Sequence, residues 1–94
     1  MTTLYRETMI TPSNTTDGEW VARQDGATDV WALDAWMDAV RDNGADEIIE
    51  LEDGATLPAG VEDIRGRIHN QPSRVYAVIM RDGGIRYTGL AQVE

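Results

Sequence analysis

An α+β fold is predicted, with a mostly antiparallel sheet and one main helix packed on one face. Segments near both ends of the chain alternate apolar and polar residues, as half-buried strands do. One central segment repeats its apolar residues at helical spacing. Clusters of Gly, Asn, Asp and Pro separate these segments. The expected order is β-β-α-β-(short α)-β-β, in one domain spanning residues 1–94.

Residues 3–10 alternate as a strand, with Leu4, Arg6, Thr8 and Ile10 on one side and Tyr5, Glu7 and Met9 on the other. The turn formers of TPSNTTDG then lead into a second strand, residues 19–24, which pairs back on the first as a hairpin and ends at Asp25-Gly26. The main helix is expected to start at Thr28 or Asp29, either of which can cap it, and to stop at Asn43-Gly44. On a regular helix from Asp29, Val30, Leu33, Trp36, Met37 and Val40 share the apolar face. Asp34, Asp38 and Asp42 lie opposite, with Trp31 among them.

Residues 46–52 read as the next strand, Ile49 and Leu51 on one side and Glu50 and Glu52 on the other. A loop follows over residues 54–60. Residues 61–69 fit a short helix through Val61, Ile64 and Ile68, weakened by Gly66. The last two strands, residues 74–81 and 85–93, form a hairpin around Asp82-Gly83-Gly84. The first of them is apolar on both sides from Val75 to Met80, as an interior strand requires.

The charge is unevenly placed. The chain carries 17 acidic and 8 basic residues, all of the latter arginine, for a formal charge of −9. The stretch Asp29 to Asp53 alone contributes −8 of this, with nine acids and only Arg41 against them. Salt adaptation would spread acid over the whole chain, so the local concentration points instead to a binding surface. Aspartate is a poorer helix former than glutamate. The i,i+4 pairs Asp34–Asp38 and Asp38–Asp42 each destabilise a helix by about 0.2–0.5 kcal/mol. The pattern therefore costs helix stability that a merely solvated face has no reason to give up. Trp31 in such a field fits a desolvated interface anchor.

Other chemistry lacks its residues. There is no cysteine for thiolate catalysis or metal binding. His69 is the only histidine and has no nucleophile near it in sequence. An EF-hand from Asp42 fails at Gly44, Glu47 and Asp53. No glycine pattern builds a phosphate loop, and Ser13 and Ser73 lie in no nucleophile motif. Asn14-Thr15-Thr16 matches a glycosylation sequon by chance, since no signal peptide is visible. No apolar run approaches a membrane span. A cytoplasmic, non-enzymatic protein without cofactor or metal is expected.

In size and charge the chain is similar to small acidic inhibitors of the anti-CRISPR, antirestriction and immunity-protein type, a likeness that carries over no residues. The expected partner is a basic, nucleic-acid-binding surface of another protein, met by Trp31, Asp34, Asp38, Asp42, Asp46, Glu47, Glu50 and Glu52. Direct nucleic-acid binding calls for the opposite charge. The alternative is a self-associating module, a homodimer formed through edges of the C-terminal hairpin or through Ala32, Ala35 and Ala39, with a merely solvated acidic face.

Overall fold

The computed structural model describes residues 2–15, 17–23 and 29–93. Its elements are β1 (Leu4–Pro12), β2 (Trp20–Arg23), β3 (Val30–Ala32), α1 (Leu33–Asp42), β4 (Ala45–Glu50), β5 (Ile68–His69), β6 (Arg74–Met80) and β7 (Ile85–Val93), with a 3-10 turn at Arg65–Arg67 before β5. They form one mixed α/β arrangement around a seven-stranded sheet of order β4-β6-β7-β1-β2-β5, in which β3 also pairs with β1. Every pairing is antiparallel except that of β5 with β2.

β1 and β7 are the longest strands and lie side by side in the middle of the sheet. The free edge of β1 is shared: Met9 to Pro12 pair with β2, and Leu4 to Arg6 pair with β3. This sharing corrects the expected start of the helix. Val30, Trp31 and Ala32 are strand, and α1 begins at Leu33 behind an extended Ala32 that makes no side-chain cap. Asp29 therefore caps nothing, while Thr28 and the Asp25-Gly26 turn lie outside the described residues. The physical reason is pairing at long range. Val30 and Ala32 complete a ladder against Arg6 and Leu4, which three more residues of helix would forfeit. At its other end the helix stops as the sequence implies. The amide of Asn43 and its Nδ2 both donate to the Ala39 carbonyl, and Gly44 follows at φ 106°, open to glycine and strained for other residues.

The core is in two parts, set by the alternation of the strands. In one, Trp36 of α1 is buried with Tyr5 of β1, Tyr76 and Val78 of β6, Leu90 of β7 and Ala45. Trp31, Leu33, Met37 and Val40 pack against this group. In the other, Ile10, Val75 and Ala77 meet side chains of the connection from β4 to β6: Leu51, Ile64, Ile68 and the partly buried Leu57 and Val61. Fully burying an aliphatic side chain of this size contributes about 1.5–3 kcal/mol. Ile64, at 0% exposure, is the most deeply buried anchor of this largely irregular connection.

That connection is also tied by polar contacts. Arg67 Nη1 donates to the Gly18 carbonyl at 2.9 Å and pairs with Glu62, and the Glu62 amide donates to the Tyr87 hydroxyl. The expected short helix over 61–69 is accordingly reduced to the single 3-10 turn and the two-residue strand β5. Gly89 fits only as glycine. A Cβ there would lie 2.5 Å from both Pro72 Cγ and Thr8 Oγ1. β6 is interior, between β4 and β7, with Val75 to Val78 buried. Both edges of the C-terminal hairpin are therefore occupied, β6 by β4 and β7 by β1. The hairpin thus presents no free edge of its own in this fold. Of the three alanines in the self-association alternative, Ala32 belongs to β3, and Ala35 and Ala39 lie in α1. No helix among the described residues is long and apolar enough to cross a membrane.

Candidate functional site

The acidic stretch begins at Asp29, ahead of β3, and runs through α1 and β4, two consecutive elements joined by a two-residue turn. Leu33, Trp36, Met37 and Val40 turn one side of α1 to the core, which forces Asp34, Asp38 and Asp42 outward. All three are exposed. Their spacing places successive carboxylates about 6 Å apart along the axis. Asp34 stands in the first turn, where the helix dipole favours it, but Asp42 ends the helix, where the dipole opposes an acid. Arg41 suits that end and approaches Asp38 at 3.8 Å, both side chains being more than half exposed. Such a contact is worth little in water.

Asp46 and Glu47 stand at the start of β4, the element after the helix, and both are exposed. β4 pairs with β6 across a register shift between Ala45 and Glu47. Such an irregularity adds local twist to the strand. Glu52 is exposed just beyond β4. The structure thus brings Asp34, Asp38, Asp42, Asp46 and Glu47 onto adjoining elements.

Two of the expected residues sit differently. Trp31 is not among the helix acids. It lies in β3 opposite Tyr5, half-buried, and packs against the first core group. Glu50 is half-buried and engaged: its Oε1 accepts from Arg74 Nη1 at 2.6 Å and from the Tyr76 hydroxyl at 2.8 Å. Its charge is already answered within the chain.

This second cluster had no sign in the sequence. Arg74 also donates through Nε to the Tyr5 hydroxyl at 3.1 Å, with its guanidinium 5.8 Å from the centre of the Tyr5 ring. The hydrogen bonds to Tyr76, Tyr5 and Glu50 hold the Arg74 guanidinium more firmly protonated than usual. Burial, followed by the hydrogen bond to Glu50, pushes the Tyr76 phenol up from 10.0 to about 12. A raised phenol contributes stability that is complete below the unfolded value near 10 and is lost as pH rises through the folded value of about 12. Urea unfolding across that window should show a loss on the order of 2–3 kcal/mol. The Tyr76→Phe variant should lack this component of the loss. An identical alkaline profile in Tyr76→Phe would contradict the assignment.

A groove of about 930 Å³ runs beside the helix, lined by Val40 and Asn43 of α1 and its following turn and by Met9, Met80, Arg86 and Thr88 of the sheet. Glu7 also lines it, but its Oε2 accepts from the Trp36 indole at 2.6 Å. His69 lies apart from all of these, exposed, with Nε2 3.5 Å from a Glu19 carboxylate oxygen. Among the described residues no group of three His, Asp or Glu side chains is placed to hold a metal ion. No protein-family model matches the chain, and neither the curated proteins nor the solved structures give a match.

Proposed function

We propose that this chain is a non-enzymatic binding protein that inhibits a nucleic-acid-handling partner by occupying its basic surface, in the manner of small acidic inhibitors of the anti-CRISPR or antirestriction type. In this reading α1 is laid across one face of the sheet, which serves as a rigid base. The outward side of the helix and the start of β4 meet the partner. The supporting observation is the run of exposed acids Asp34, Asp38, Asp42, Asp46 and Glu47, of which Asp38 alone has an ion-pair partner among the described residues.

The physics favours a partner over bare solvation. Like charges on one helix stripe repel, and Asp42 stands against the dipole. A basic surface that receives the stripe removes both costs and steers association over a Debye length of about 8–10 Å. Trp31 is half-buried against the core, so in this reading it contributes at most its exposed edge to the contact. Glu50 enters this surface with its carboxylate already paired to Arg74.

Capture from lysate with the tagged chain at about 100 mM salt, eluted in steps to about 1 M, tests the reading, because the screening length falls to about 3 Å over that range. The expected result is a nucleic-acid-binding protein released by salt. Recovery of no specific partner, together with a stable oligomer in light scattering, would contradict it and favour self-association.

A further inference from the structure

We propose that the outer edge of β4 takes up an extended basic segment of the partner as an added strand. The inference rests on the acidic-surface reading and specifies how that surface is engaged. Among the described residues β4 pairs with β6 on one side and with no strand on the other. Its outward amides and carbonyls form the template that strand addition uses.

The side chains along this edge select what can pair there. Ile48 and Ile49 stand opposite Val78 and Ala77, which are buried at 2% and 0% exposure, yet both isoleucines remain only partly covered. They project to opposite sides of the sheet, so one neighbouring strand would cover both. Asp46 and Glu47 flank them without an ion-pair partner among the described residues. Opposite charges directly across a strand pair contribute about 0.2–1 kcal/mol each, and like charges cost similar amounts. Arginine or lysine facing Glu47 and reaching Asp46 in the irregular step beside it, with β-branched residues beside Ile48 and Ile49, is the complementary pattern. A second copy of this chain fits poorly, because it would bring another formal charge of −9 to the same edge. The register shift at Ala45 and Glu47 leaves the remainder of β4, through Glu50, as the regular stretch for pairing.

The test uses two capped synthetic hexapeptides of equal charge. One joins a block of arginines to a block of valines, as the order Asp46-Glu47-Ile48-Ile49 requires; in the other proline replaces each valine and removes its backbone donor. Binding to the full chain is followed by NMR, with amide hydrogen exchange read residue by residue. The expected result is about ten-fold or more tighter binding of the valine peptide, with slowed exchange confined to β4. Equal, salt-sensitive binding of both peptides would overturn strand addition while leaving the acidic-surface reading in place. Failure of both to bind would overturn the two together. Tight valine-peptide binding that protects β2, β3 or β5 instead of β4 would also overturn it.

Discussion

Trp36→Ala is expected to cost about 3–5 kcal/mol of folding stability, the range for removing a large aromatic from a packed core. Trp36 is 1% exposed, and its ring lies 5.1 Å from that of Tyr76, tilted at 47°. Alanine would leave a void between α1 and the strands carrying Tyr5, Tyr76, Val78 and Leu90. It would also remove the indole N–H from Glu7, leaving a part-buried carboxylate without its donor. Because domains are stable by only about 5–15 kcal/mol in total, the variant should be close to unfolding at room temperature. Urea denaturation followed by circular dichroism measures this. Trp36→Phe, which keeps a ring but no donor, should lose markedly less. A loss under about 1 kcal/mol in the alanine variant would show that the helix is not held by this side chain.

The charge-reversed pair Asp34→Arg with Asp38→Arg is expected to lower affinity for the basic partner by about a hundred-fold or more, since each change replaces an attraction by a repulsion. The fold should survive. Both side chains are exposed and neither makes a hydrogen bond among those described, so the stability change should fall within about 0.5 kcal/mol per site. Arginine is also the better helix former, and the change removes the i,i+4 repulsions. Asp34→Arg does place a cation near the positive helix end, an opposing effect of about 0.3–1 kcal/mol. Loss of binding with an unchanged melting curve therefore separates recognition from folding. Retained affinity would place the contact elsewhere.

The strands were legible where local pattern decides them. β1, β2, β4, β6 and β7 carry alternation or a continuous apolar run, bounded by turn residues such as Asp82-Gly83. Gly83, at φ 93°, supplies the positive φ expected of that turn. What was not legible depends on partners far away in sequence. Val30-Trp31-Ala32 suits a helical stripe and a short strand equally well, and pairing with Leu4 to Arg6 decides between them. β5 is two residues long and exists through its parallel contact with β2. The same division holds at the site. Asp34, Asp38 and Asp42 share a helix side through spacing alone, and the structure places them on one. Glu50 reads as a free acid until Arg74, 24 residues further on, is brought beside it.

The central claim is that exposed carboxylates of α1 and β4 bind a basic surface. It is tested most directly by measuring the affinity of the captured partner as salt is raised from about 50 to about 500 mM, which shortens the screening length several-fold. The account predicts a steep, continuous loss of affinity for the wild-type chain, with the dissociation constant rising by about a hundred-fold or more. An affinity that stays flat across that range would contradict it, because contacts insensitive to screening are not made by these carboxylates.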